Sequence, residues 1–255
     1  MNFIISANTD VGIAKDTNQD SLSVMVLNTP QGKMAFSILC DGMGGLAMGE
    51  VASAAVINAF RRWVYEDLPK LCNAPLEDVT IRSQWEKIIQ EQNQLIKNFG
   101  ARQGIRLGTT VVAVLLTQNR YYVLNVGDSR AYEITNCLRQ ITSDQTFVAR
   151  EIALGHMTPE EALVDPRRNV LLQCVGATKY VQPVFIHGKA AANMCYMLCS
   201  DGYRHEVTRR EIGDAFKPTL NTNEVVMKRN ISALVELNIA RGETDNISAL
   251  LIRTI

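Results

Sequence analysis

Short apolar runs separated by turn signals recur through the middle and C-terminal parts of this chain. Met34–Cys40, Thr109–Leu116, Tyr121–Val126, Met194–Cys199 and Asn246–Ile252 are rich in Val, Ile, Leu and aromatic residues, and each has the length of a strand. Longer segments with helical spacing stand between them. In Glu50–Tyr65, the positions Val51, Ala54, Ala55, Asn58 and Arg62 step around a helix. In Gln84–Phe99, Trp85, Ile88, Ile89, Leu95, Ile96 and Phe99 form an apolar stripe interrupted at Gln92, and Asn223–Leu237 carries Val226, Ile231, Leu234 and Leu237. Strands do not alternate one-for-one with helices. Tyr121–Val126 is expected to run through a Gly-Asp-Ser turn into Ala131–Thr135 as a hairpin. This order disfavours a doubly wound parallel sheet and predicts an antiparallel α+β layer fold. No repeat, low-complexity stretch or long linker divides the chain, so a single domain over residues 1–255 is expected.

Composition narrows the function classes. The 26 Lys and Arg balance 26 Asp and Glu, which argues against a nucleic-acid or membrane-surface binder working through bulk charge. A chain of 255 residues is long enough for one substantial core. No apolar run approaches the ~20 residues that span a bilayer. The N-terminal Met-Asn-Phe-Ile-Ile lacks the features of a signal peptide, so a cytoplasmic location is expected. The six cysteines (Cys40, Cys72, Cys137, Cys174, Cys195, Cys199) contain no Cys-x-x-Cys pair, and His156, His187 and His205 do not cluster with them. Neither a zinc site nor a disulfide framework is expected.

Several phosphate-handling motifs are absent. There is no Gly-x-x-x-x-Gly-Lys, no Cys followed by Arg at the sixth position, no Asp-x-Asp and no Gly-x-Ser-x-Gly. A side-chain nucleophile therefore has no obvious candidate. The aspartates are more informative. Asp41, Asp128 and Asp201 each follow an apolar strand-like run, Asp245 precedes the terminal run, and Asp20 precedes the strand-like Ser21–Leu27. Taken singly, an Asp-Gly after a strand is ordinarily a turn. Taken together, five carboxylates at strand ends can converge on one sheet edge, where carboxylate oxygens suit hard cations such as Mg²⁺ or Mn²⁺ better than zinc. Gly follows both Asp41 and Asp201, which lets the backbone turn sharply beside them.

The words around these aspartates resemble, in order, those of the bacterial metal-dependent Ser/Thr protein phosphatases of type 2C. They are Thr9-Asp10-Val11-Gly12, Lys15-Asp16-Thr17-Asn18-Gln19-Asp20-Ser21, Cys40-Asp41-Gly42-Met43-Gly44-Gly45 and Gly108-Thr109-Thr110. Val126-Gly127-Asp128-Ser129-Arg130, Ser200-Asp201-Gly202 and Thr244-Asp245-Asn246-Ile247-Ser248 continue the series. Thr158-Pro159-Glu160-Glu161-Ala162 with Asp165-Pro166-Arg167-Arg168-Asn169 resembles the flap of those enzymes, placed here at about 145–190.

The resemblance implies a four-layer αββα sandwich of two antiparallel sheets flanked by helices, with a metal centre at one edge. Carried over by position, Asp41 is similar to the carboxylate that bridges two Mn²⁺ or Mg²⁺ ions, and the Gly42 carbonyl to a ligand of one. Asp201 and Asp245 complete the first site, Asp20 belongs to the second, and Asp128 falls where a third, weaker ion binds. Asp41 and Asp20 would position a metal-bridging water. Two cations about 3.5–4 Å apart lower the pKa of such a water, and the hydroxide attacks phosphorus directly, without a protein nucleophile. The expected substrates are phosphoserine and phosphothreonine proteins, products of a Ser/Thr protein kinase. The expected enzyme is a monomer that engages neither nucleic acid nor membrane. The alternatives are a degenerate family member serving as a phosphoprotein- or metal-binding regulatory module, or an unrelated α+β protein whose Asp-Gly pairs are turns.

Some positions depart from the family. Lys15 stands where the family has an Arg that clamps the substrate phosphate, and supplies the charge without the bidentate fork. A solvated surface charge is the other reading of Lys15. Gln19 replaces a Glu of some relatives, Met43 a His, Asp165 a His of the flap, and Gln145-Thr146 a His-Ser pair. Bacterial members share the changes at Gln19 and Met43, and the flap changes bear on substrate choice rather than on reaction type.

Overall fold

The computed structural model describes residues 1–44 and 48–255, so Gly45 of the Asp-Gly-Met-Gly-Gly word lies outside the described residues. In chain order the elements begin with β1 (Phe3–Asp10), β2 (Ser21–Thr29), β3 (Gly32–Cys40), β4 (Gly42–Gly44), α1 (Gly49–Glu66), α2 (Leu68–Leu71) and α3 (Asp78–Gln103). There follow β5 (Leu107–Thr109), β6 (Val111–Leu116), β7 (Arg120–Val126), β8 (Arg130–Ile134), β9 (Leu138–Gln140), α4 (Phe147–Ala153) and α5 (Pro159–Val164). The chain closes with β10 (Val184–Lys189), β11 (Cys195–Cys199), α6 (Arg209–Ala215), α7 (Glu224–Ala240) and β12 (Ile247–Thr254).

Two five-stranded sheets result, in the orders β1-β12-β11-β8-β9 and β10-β7-β6-β3-β2, with β4 and β5 as a short separate pair. Every pairing is antiparallel, as the strand order of the sequence predicts. Alternation along each strand builds the layers. Phe36, Ile38 and Cys40 of β3 pack with Phe60, Trp63 and Trp85 of α1 and α3, whereas Ala35 and Leu39 join Leu198, Leu250 and Ile252 between the sheets. On the far side, Met197 and Leu251 pack with Phe216, Met227 and Ile231 under α6 and α7. The architecture is thus the αββα sandwich, with apolar layers on both faces of both sheets.

The sequence expectations for the helices change in the structure. α1 buries Ala52, Val56, Phe60 and Trp63, not the Val51-Ala54-Ala55-Asn58-Arg62 face, and leaves Asn58 and Arg62 exposed. Phe60 and Trp63 carry more apolar area than the alanines; Phe60 stacks on Phe36 with ring centroids 5.8 Å apart, and Trp63 packs against it tilted at 6.0 Å. α3 begins at Asp78 rather than Gln84, because Ile81 enters the core and Arg82 pairs with Glu86 one turn on at 2.7 Å. Its stripe is interrupted at Asn93, not Gln92. The Asn93 amide accepts from the Gly176 N–H at 2.7 Å and donates to the Thr178 carbonyl at 3.2 Å, while Leu95 faces outward.

The expected hairpin between Tyr121–Val126 and Ala131–Thr135 does not form. β7 already has β6 and β10 on its two edges, and β8 pairs with β11 and β9 in the other sheet. Gly127, at φ +97°, starts a crossover between the sheets. The consequence is functional: Asp128 sits on the link between the two layers rather than at an isolated tip.

Candidate metal centre

Antiparallel pairing places the start of one strand beside the end of its neighbour, and this collects the aspartates. Ser21 pairs with Cys40, so Asp20 and Asp41 lie side by side at one end of β2 and β3. Cys199 pairs with both Ala249 and Arg130, which brings Asp201, Asp245 and Asp128 to the same edge of the other sheet. A cavity of about 530 Å³ opens there, lined by Asp41, Gly42, Asp128, Asp201, Asp245 and Lys15, with Gln19 and Met43. Asp20 lies behind this lining and is only 9% exposed.

Local hydrogen bonds hold each piece. The single strand expected over Thr109–Leu116 is split at Thr110, whose N–H donates to the Asp41 carbonyl at 2.9 Å and whose hydroxyl accepts from the Asp41 N–H at 3.0 Å. Thr109 hydroxyl donates to the same carbonyl at 2.9 Å. Gly42 sits where the chain crosses α1. A methyl group there would collide with the carbonyl oxygens of Gly49 and Gln19, so no larger residue keeps this approach. The Asn246 amide ties down the segment before β2: it accepts from Gln19 N–H at 2.9 Å and donates to the carbonyls of Val11 at 2.9 Å and Thr17 at 3.2 Å.

Like charges crowd this edge. Burial, reinforced by Asp201 and Asp245 and opposed by the Ser200 and Ser248 hydroxyls, pushes the Asp20 carboxyl up to about 7. Burial and the neighbouring Asp20, Asp201, Asp128 and Asp245 push Asp41 well above the usual carboxylate range. Burial and Asp201 raise Asp128 to about 7 against the opposing Arg204 charge. Hydrogen bonds from protein do not satisfy the group. Ser200 donates to Asp20 Oδ2 at 2.9 Å, but the buried Oδ1 atoms of Asp20 and of Asp201 have no partner among the described residues. Orphaned buried oxygens on crowded carboxylates are what a hard cation satisfies, and the donor set fits Mn²⁺ or Mg²⁺. No three His, Cys, Asp or Glu side chains among the described residues are drawn together as a ready-made cage; the carboxylates ring a shared cavity instead.

Lys15 is at the rim, with Nζ 3.2 Å from Asp245 Oδ1 and both side chains about two-fifths exposed. The other departures lie further out. Gln145 accepts from the Gly127 N–H at 2.7 Å, and Thr146 caps α4. Asp165 is held on the surface by Arg167 at 2.8 Å. In the 145–190 segment, Thr158 and Glu161 form the capping box of α5, and Val184–Lys189 is a strand of the second sheet. A larger cleft of about 1080 Å³ runs between α4, α5 and the 204–206 and 242–245 loops, and shares Asp128, Asn169 and Asp245 with the carboxylate cavity.

Sequence reasoning missed a second layer. Arg130 forks onto Asp144 at 2.8 and 2.6 Å, and Arg204 reaches Asp128 at 3.3 Å and Asp144 at 3.7 Å. His205 bridges Glu243 at 3.1 Å and Asp201 at 3.5 Å. Burial opposes its protonation, but the Glu243 hydrogen bond and the Asp201 charge outweigh that and raise its pKa. The available signal was the Arg204-His205 pair one turn after Asp201-Gly202.

Comparison with known proteins agrees with this geometry. The family model described as protein phosphatase 2C matches residues 13–238. The chain is 30% identical over 251 residues to the serine/threonine phosphatase stp of Listeria innocua, covering 96% of this chain and 93% of that protein. The crystal structure of the Mycobacterium tuberculosis serine/threonine phosphatase PstP/Ppp superposes with TM-score 0.80 at 29% identity, covering 99% of this chain and 98% of the other. A catalytic-domain structure of PstP in complex with two manganese ions superposes with TM-score 0.79 at 27% identity, covering 100% of both chains. Agreement in sequence and fold from one end of the chain to the other makes it a member of the protein phosphatase 2C family.

Proposed function

We propose that this chain is a Mn²⁺- or Mg²⁺-dependent phosphatase of phosphoserine and phosphothreonine proteins. One observation carries the reading: five aspartates from five separate segments meet at one edge of the sandwich, two of them with buried oxygens that no group among the described residues satisfies. Asp41, the Gly42 carbonyl, Asp201 and Asp245 would hold one ion and Asp41 with Asp20 the second. Bound divalent cations supply charge neutralisation at phosphoryl oxygens and water activation near neutral pH. The chain's own residues set up that chemistry. Thr109 and Thr110 fix the Asp41 backbone, and Ser200 holds one oxygen of Asp20 by donating to its Oδ2. Lys15 places one positive charge at the rim, where a phosphate dianion enters. No side-chain nucleophile is required.

The larger cleft beside the cavity suits the polypeptide around the phosphorylated residue, with the 145–190 segment as its flap. Phosphoproteins made by a Ser/Thr kinase are the substrates, and the enzyme acts in bacterial signalling as a cytoplasmic monomer within one domain. All six cysteines are unpaired thiols, as suits a reducing compartment. No helix among the described residues is long and apolar enough to cross a membrane. The reading as a non-catalytic regulatory module is weaker, because all five carboxylates are retained and the named relatives are phosphatases. The test is hydrolysis of a phosphothreonine peptide with Mn²⁺, with and without EDTA. Turnover that needs Mn²⁺ supports the proposal; metal-saturated protein without turnover overturns it.

A further inference from the structure

Asp128 has a buried arginine beside it, whereas Asp245 meets the exposed Lys15 at 3.2 Å and Asp201 meets His205 at 3.5 Å. Arg204 follows Asp201 in a tight turn, its N–H donating to the Asp201 carbonyl at 2.9 Å. That turn sends the side chain back across the cavity edge, where it is only 12% exposed. Its Nη2 lies 3.1 Å from the Asp128 carbonyl oxygen and 3.3 Å from Asp128 Oδ2, and 3.7 Å from Asp144 Oδ2. Asp144 is in turn forked by Arg130. Two arginines and two aspartates therefore form a charge-balanced chain leading out from the cavity. The other carboxylates lack such a partner: Asp20 and Asp41 have no ion pair among the described residues, Asp201 meets only His205, and Asp245 only the exposed Lys15.

We infer that Arg204 takes the place of a third metal at Asp128, so that this chain works with two divalent ions and the third, weaker site that the family resemblance places at Asp128 is filled by the protein itself. The inference rests on the metal-phosphatase reading of the same site. Its physical basis is competition for one carboxylate. A divalent ion held by Asp128 would share that carboxylate with a buried guanidinium at hydrogen-bonding distance, and the two cations repel at a site with little water to screen them. Expelling Arg204 would strand a buried charge beside Arg130, since Asp144 is already committed. Two divalent ions also already exceed the net negative charge left on the four other aspartates and Lys15. Arg204 is thus a positioning residue, holding Asp128 on the crossover between β7 and β8.

Counting Mn²⁺ sites tests this without reference to turnover. Calorimetric titration with Mn²⁺ alone, checked by electron paramagnetic resonance of the unbound ion, should give two sites per chain in the wild type. Asp128→Ala should still give two. Arg204→Ala should add a third, weaker site, and the Arg204→Ala, Asp128→Ala double variant should return to two. Circular dichroism reports whether each variant is folded, and if Arg204→Ala is not, the wild type and Asp128→Ala decide alone. Three sites in the wild type, one of them lost in Asp128→Ala, would overturn the inference while leaving the phosphatase reading intact. An unchanged count of two in a folded Arg204→Ala would overturn it as well. A wild type that binds no Mn²⁺ would instead remove the reading on which it rests.

Discussion

Replacing Asn246 by alanine removes a side chain that makes three long-range hydrogen bonds from a position only 4% exposed. These bonds join the start of β12 to residues 11–19, the segment that carries Lys15 and leads into Asp20. At about 0.5–1.5 kcal/mol each, three bonds sum to roughly 1.5–4.5 kcal/mol. Val11 and Thr17 are exposed, so water replaces part of the loss at their carbonyls, while the recessed Gln19 N–H has no such substitute. The lower half of the range applies, about 2 kcal/mol. In a chain of this size each kcal/mol moves the melting temperature by about 2–4 °C, which gives a fall of about 4–8 °C. Asn246→Asp sharpens the test. Its carboxylate still accepts from Gln19 but turns an oxygen towards two carbonyls, beside Asp245, so it should destabilise at least as much as alanine. Thermal unfolding followed by circular dichroism measures both. Steady-state kinetics well below the transition should show a raised KM for a phosphopeptide with a smaller change in kcat, because the freed segment carries Lys15. A melting temperature for Asn246→Asp equal to wild type would refute the argument, since it would show that the two donated bonds contribute nothing.

Asp41→Asn should abolish Mn²⁺-dependent hydrolysis while the far-ultraviolet circular dichroism stays native; near wild-type turnover at saturating Mn²⁺ would exclude Asp41 as a ligand. Lys15→Ala should raise KM for a small aryl phosphate, and Lys15→Arg should lower it by roughly 10-fold through a second charge-assisted hydrogen bond; equal constants in all three proteins would make Lys15 a surface charge. The exposure of the Lys15–Asp245 pair limits its effect on stability to about 0–1 kcal/mol, so neither change should unfold the protein. Burial raises the pKa of Asp144, but the Arg130 hydrogen bonds and the Arg204 and Arg130 charges outweigh it and hold the carboxyl below the usual range. A depressed carboxyl contributes stability above its unfolded pKa of about 3.9, and that stability is lost as pH falls through the folded value. Acid unfolding below about pH 4 should therefore be shallower in Asp144→Asn than in wild type; parallel curves would show that Asp144 adds nothing to acid sensitivity.

Much of this protein was legible along the chain, because period and punctuation are local properties. Strand-length apolar runs, their antiparallel order and the aspartates at their ends follow from residue spacing alone, and the order of the words around Asp20, Asp41, Asp128, Asp201 and Asp245 led to the family. What the chain did not reveal depends on neighbours distant in sequence. The helical face of α1 is set by where Phe36 stands to meet Phe60 and Trp63, which no spacing within the helix specifies. Tyr121–Val126 and Ala131–Thr135 look like a hairpin in sequence, yet they part because β6, β10, β9 and β11 occupy their edges. Asp128 has the same sequence signature as Asp201, a carboxylate after a buried strand. Only the folded chain distinguishes them, by leaving Asp201 Oδ1 without a partner among the described residues and bringing Arg204 to within 3.3 Å of Asp128. Charge interactions act through space over a few ångströms, so a carboxylate's character is decided by what folding places around it.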